Sequence, residues 1–355
     1  MHNPYSDLPI ECFWRTGVAV DWQATLGLIY QKRFSIDQSC KIATAGSCFA
    51  QHITRELKSN SFGFLDLEPA PEELPPDLHQ RYGYGIYSAR YGNIYTAKQL
   101  LQLAREAFSL RPLRILPWKK NDQLIDALRP SIEPDGFSSV AELVAHREHH
   151  IACVRECFER MDLFVFTLGL TEAWCDSATG YVLPSAPGVN GGEYDASQVE
   201  FVNFSFFKIL SAFERFLKIL KDHRPEHQLP KILLTVSPVP LTATASGRHV
   251  LLATNESKAI LRAVASELQR RYEYIDYFPS YEIINHPVGR RQFFDENLRT
   301  VSEIGVQTAM QCFLQHHKPP VEFKLKNGDL TGTQLEQLAQ TLICEEELMD
   351  RKIDD

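Results

Sequence analysis

Three groups of residues in this chain have the types and spacing to do chemistry. Ser47 lies in Gly46-Ser47-Cys48-Phe49-Ala50, directly after the short apolar stretch Lys41–Ala45 and before Phe49, Ile53 and Leu57 at helical spacing. That pattern predicts a strand, a turn and a helix, with the serine at the turn. The free amides at a helix start stabilise negative charge, so a serine there can act as a nucleophile whose oxyanion is held by backbone. The alternative is a plain helix cap, a role serine favours. Cys48 is a second nucleophile by type, but adjacent side chains at a helix start diverge, and we read it as a packed thiol.

The second group is His146, His149 and His150, whose i, i+3, i+4 spacing places them on one helical face. Metal ligation would need a further acidic or cysteine ligand that the sequence does not place, so a solvated face is expected and no metal or cofactor is called for. The third group is the histidines His249 and His286, each in a loop that follows an apolar strand. No P-loop and no Gly-x-Gly-x-x-Gly follows a strand.

The elements that must position these residues are legible as alternating strands and helices. Lys41–Ala45, Leu163–Leu168, Ile232–Val236 and Tyr274–Phe278 read as buried strands. Helices are predicted after Ala50, from Thr96 as a cap to Phe108, and over Val140–Met161, Phe206–Leu220, Ser257–Arg271 and Ser302–Phe313. Continuously apolar strands separated by helices imply an α/β fold with a parallel sheet covered on both faces. Ligands bind beyond the carboxyl ends of such strands. Gly46-Ser47, Gly169–Trp174 and Ser237–Leu241 should therefore meet along one edge.

Between these elements, Asn3–Gly17 reads as an irregular arm, Glu68–Pro76 as a Pro- and acid-rich surface loop, and Gly180–Gly192 as a Gly/Pro-rich loop. One main domain over 1–317 is expected. A C-terminal appendage, 318–355, would carry a helix capped at Thr333, with Leu335, Leu338 and Leu342 on one face that packs onto its own domain, docking or dimerising being the alternative.

Composition bounds the partners. The 355 residues are 44% hydrophobic and 23% charged, which suits a folded globular chain, and the formal net charge is −8. That balance argues against nucleic-acid binding, with Arg290-Arg291 the main local basic spot. No apolar run approaches the ~20 residues of a membrane span, and no basic-then-apolar leader opens the chain. The eight cysteines, among them Cys153 and Cys157 on one predicted helical face, lack disulfide-scaffold and zinc spacings. A cytoplasmic location is expected.

Ala45–Ala50 resembles the signature of the GSCFA family, bacterial proteins similar to the SGNH/GDSL esterases. Asn3-Pro4-Tyr5, Ala89–Thr96, Phe166–Trp174, Thr235–Leu241 and Tyr277–Glu282 resemble the same family. The resemblance implies a flavodoxin-like SGNH hydrolase fold and a serine esterase or acyltransferase. Ser47 would attack an ester-linked acyl group, an acylated carbohydrate being the substrate class implied. Gly92 with Asn93 would match the second block, which supplies an oxyanion donor. Thr171 and Glu172 stand where the third block usually carries Asn and Asp, and Trp174 beside them fills the core or walls a pocket.

The family of esterases ends with Asp-x-x-His before the last helix, and here Asn297 and Thr300 occupy that spacing, with Asp295 nearby. Neither is a general base near neutral pH. His249, oriented by Glu172, is then the expected base, with His286 the second choice. The competing expectation is a non-catalytic descendant whose cleft binds a glycan or a partner protein.

Overall fold

The computed structural model describes residues 3–317 except 21, 38, 225–227 and 290. The appendage 318–355 and Arg290 thus lie outside the described residues. In chain order the strands are β1 (Ile42–Gly46), β2 (Pro117–Lys120), β3 (Gln123–Asp126), β4 (Leu163–Leu168), β5 (Glu172–Asp176), β6 (Val182–Leu183), β7 (Val199–Asn203), β8 (Lys231–Val236) and β9 (Ile275–Tyr277). The helices that frame them are α1 (Ala50–Ser59), α2 (Ala97–Ala107), α3 (Val140–Arg160), α4 (Phe206–His223), α5 (Val250–Arg271), α6 (Ser280–Ile284) and α7 (Glu303–His316).

β1, β4, β8 and β9 form a parallel sheet in that order, with Ala45 beside Phe166 and Phe166 beside Leu234. Outside β1, Ile42 pairs in parallel with Phe64 through Ile42 N–H to the Gly63 carbonyl and Leu65 N–H to the Ile42 carbonyl. Counting that bridge as a rudimentary strand gives the flavodoxin-like order 2-1-3-4-5, whose ligand crevice lies at the switch point between the first and third strands. Here that point separates β1 from β4.

Period-two alternation divides the strand residues between two cores. Ala43, Ala45, Phe164, Phe166, Ile232 and Leu234 face a cluster that includes residues of α2, α3, α4 and α5. Ile42, Leu163, Val165 and Leu233 face Phe49, Ile53 and Leu57, together with α6 and α7. Rings at the centre of the first cluster meet edge to face, with Phe158 5.5 Å from Phe216 and 6.2 Å from Phe164. Each such buried ring contributes about 1.5–3 kcal/mol by leaving water.

Helix boundaries follow side-chain caps. Thr96 accepts from Gln99 N–H while Gln99 Oε1 accepts from Thr96 N–H, and Ser139 and Ser302 cap α3 and α7. Three regions depart from expectation. The Gly/Pro-rich loop contains β6, and the Gly169–Trp174 segment runs on into β5, so β6-β5-β7 form a second, antiparallel sheet. These strands are short and half-polar, which hides their period in the sequence. α5 starts at Val250, seven residues before Ser257, because His249 caps it. The N-terminal arm also carries short helical turns, at Ile10–Cys12, Arg15–Val20 and Trp22–Thr25. Among the described residues no helix is long and apolar enough to cross a membrane.

Candidate functional site

The site begins where β1 ends. Gly46 has φ +141°, and a Cβ on it would stand 2.6 Å from the Thr167 carbonyl oxygen, so only glycine lets β1 lie this close to β4. Ser47 N–H donates to that same carbonyl at 3.2 Å, carrying the pairing one residue past the strand. The chain then turns through Cys48 into α1, whose N-cap is Phe49. Ser47 is therefore not the helix cap. Ser47 is 2% exposed, and among the described residues its Oγ has no hydrogen-bond partner.

The three strand-end segments do meet. Ser237 N–H donates to the Leu168 carbonyl at 2.9 Å, and Gly169 lies against Ser47 so closely that a Cβ there would stand 2.8 Å from the serine Cβ. Gly169 and Leu170 both donate their N–H groups to the Tyr95 carbonyl, at 3.1 and 2.9 Å. α5 pins the same loop from behind: Thr171 N–H reaches Ser257 Oγ at 3.1 Å and the buried Lys258 ammonium reaches the Gly169 carbonyl at 2.8 Å. The hydroxyls of Thr167 and Thr171 join that of Ser47 in having no partner.

Gly92 turns the chain at φ +67° and delivers Asn93 to the underside of the turn. Asn93 Oδ1 accepts from Gln51 Nε2 at 3.2 Å and from the Tyr87 hydroxyl at 2.7 Å, and that hydroxyl also lies 3.0 Å from the Ser47 carbonyl. Asn93 is thus brought to Ser47 through Tyr87.

Glu172 stands elsewhere, on a cavity of about 220 Å³ between the β5–β7 sheet, the start of α2 and the loop after β8. Tyr95, Leu170, Trp174, Phe201 and Leu241 give its apolar walls. Trp174 is half-buried and edge-on to Phe201 at 5.7 Å, so it walls this cavity. Burial raises the Glu172 carboxyl above the usual carboxylate range, against the hydrogen bond that Thr244 Oγ1 donates at 2.8 Å. Phe201 and Thr244 had no signal in the sequence: the first is on a hidden strand, the second in a loop of small residues.

The expected base is not in place. His249 is exposed, and its Nδ1 accepts from Leu251 N–H at 3.1 Å as the cap of α5. Since Ser47 Oγ has no partner, the direct Ser47–His249 pair is not made, and Glu172 bonds Thr244 instead of orienting an imidazole. His286 is stacked on Trp22 at 5.2 Å, and burial lowers its pKa. Asn297 Nδ2 donates to Thr300 Oγ1 at 2.9 Å and Asn297 Oδ1 accepts from the amides of Arg299 and Thr300, closing a loop on itself. Asp295 lies exposed at its start.

Nor do the clustered histidines form a solvated face. His150 is fully buried, and its Nδ1 lies 2.7 Å from Glu68 Oε2. His146 lies 3.1 Å from Arg129 and 3.2 Å from Glu133; only His149 is exposed. Around them Arg129 pairs with Asp126 at 2.9 Å and Arg147 with Glu106. Burial and then the Arg129 charge press the His150 imidazole down to about 3, while His150, Arg129 and the Arg90 amide outweigh burial and hold the Glu68 carboxyl below its usual range. Among the described residues no group of three His, Cys, Asp or Glu can hold a metal ion.

The model of the GSCFA family matches residues 41–313, more than three-quarters of the chain. No curated protein and no solved structure matches it.

Proposed function

The chain belongs to the GSCFA family, and on that premise we propose that it is an SGNH-like binding module that holds an acylated carbohydrate in the apolar cavity beside the Gly169–Thr171 loop. The observation that carries this reading is chemical. Among the described residues Ser47 Oγ has no group to take its proton, and the Asn297 and Thr300 side chains are spent on each other where an Asp–His pair is expected. A serine without a base is a poor nucleophile near neutral pH. The cavity, in contrast, suits a ligand with an apolar part: aromatic walls for the acyl chain and sugar face, with Glu172 and Thr244 as polar contacts.

Calorimetric titration with acetylated sugars tests this. Saturable binding that is lost in Ala186→Trp, which fills the cavity, supports the module; no binding to wild type overturns it.

A second reading is favoured by one specific observation. The Ser47 hydroxyl is unspent, at the end of the first strand and against the Gly169 loop. On that reading the chain is a serine esterase or acyltransferase whose base arrives on a rearrangement of the loop after Ser237. Hydrolysis of short p-nitrophenyl esters and acetylated sugars by wild type, abolished in Ser47→Ala with the fold intact, would establish it. Equal or absent hydrolysis in both proteins leaves the binding module.

A further inference from the structure

A second cavity, of about 750 Å³, opens on the far side of α1 and has no part in the reading above. Its size falls within the roughly 300–1,000 Å³ of small-molecule sites. One wall is a single face of α1, with Gln51, Thr54, Arg55, Lys58 and Ser59 at helical spacing. The facing wall runs from Asp66 through the Pro-rich loop to His79 and Ile86, and among the described residues Asp66 is the one carboxylate of the lining.

Arg55 is half-buried, and no hydrogen bond or ion pair ties its guanidinium among the described residues. Its charge is nonetheless felt inside. After burial, it is what lowers the buried His52 imidazole to about 3. Lys58, one turn on, donates to the Gly85 carbonyl at 3.2 Å and has further N–H groups to offer. Two cations against one carboxylate make this wall positive, on a chain whose formal net charge is −8. A planar guanidinium with five donors and no acceptor matches an oxyanion bidentately.

We propose that this groove is a binding site for a sugar-sized, hydroxylated ligand that bears an oxyanion, held by the Arg55 guanidinium and the Lys58 ammonium. Its lining includes Gln51, whose amide also holds Asn93 near Ser47.

Titration calorimetry of the full chain with glucose 6-phosphate, glucuronate and uncharged glucose tests the proposal, and the two anions distinguish a phosphate source from a carboxylate source. Saturable binding of at least one anion, at least ten-fold weaker glucose binding, and a ten-fold or greater loss in Arg55→Gln are expected. Arg55→Lys should recover part of the loss, because it keeps the charge without the fork. Binding of neither anion, equal binding of glucose, or unchanged affinity in Arg55→Gln overturns it. Should Arg55→Gln not fold by circular dichroism, Lys58→Gln, at an exposed position, and Ala70→Trp, which fills the groove, decide by the same criterion.

Discussion

Two buried polar regions of this molecule treat their side chains in opposite ways. In the network under α2 and α3, each ionised side chain has a polar partner, Glu68 with the neutral His150, Arg129 with Asp126 and Arg147 with Glu106, and only single atoms of them, Glu68 Oε1, Arg147 Nε and His150 Nε2, are left over among the described residues. At the turn beyond β1, the hydroxyls of Ser47, Thr167 and Thr171 are as deeply buried and have no partners. A buried polar group without a hydrogen bond costs stability, and its persistence calls for an explanation. The network explains itself as structure, since its paired side chains tie the hairpin of β2 and β3 to the helices, Asp126 and Glu106 both meeting Arg147. The turn holds capacity in reserve, which is what a site for something else requires.

The largest expected effect tests the structural side. Asp126→Ala strands Arg129 in the interior and should cost about 3–5 kcal/mol, read as a lower urea midpoint; a change under 1 kcal/mol would mean that the network does not hold the fold.

Acid should reach the same region next. His150 is neutral in the folded chain and free to protonate below about 6.5 when unfolded, so its contribution is complete above that pH and is lost as pH falls toward about 3. Stability should drop by about 2 kcal/mol between pH 7 and pH 5 on account of this residue, and less in His150→Gln. An identical pH dependence in the two proteins would contradict its burial as the neutral form.

At the turn, Gly169→Ala must push the loop off Ser47 and the Tyr95 carbonyl, for about 1–3 kcal/mol, and should weaken acetylated-sugar binding in parallel. The smallest effect is the most diagnostic. Ser47→Ala removes a hydroxyl that bonds to nothing, so stability should hold or rise by up to about 1 kcal/mol. A loss above that would show the hydroxyl to be structural and would erase the contrast.

The strands of the parallel sheet were readable because Leu163–Leu168 and Ile232–Val236 are continuously apolar and bounded by helical patterns. Meeting of their ends followed from the rule for parallel sheets. The second sheet was not readable: β5 has only five residues with a tryptophan and two acids, and β6 has two. The histidines misled for a common reason. Spacing on a helix tells which side chains share a face, and it is silent on what packs against that face. His150 meets Glu68 from 82 residues away, a pairing no local pattern encodes. His249 follows the loop after β8, and a loop position that also starts a helix gave its imidazole a local amide to accept from.

The passage from β4 to β5 takes three residues: Gly169 and Leu170 are tied to the Tyr95 carbonyl, Leu170 also lines the apolar cavity, and Thr171 is tied to Ser257. Mechanically this is a linkage with no slack. A ligand that spreads the aromatic walls must lever Leu170, and Gly169, next to it and in contact with Ser47, has to follow. Occupancy of the cavity is thereby transmitted to the serine as displacement, so the nuclear magnetic resonance of the Ser47 amide serves as a gauge of what the cavity holds.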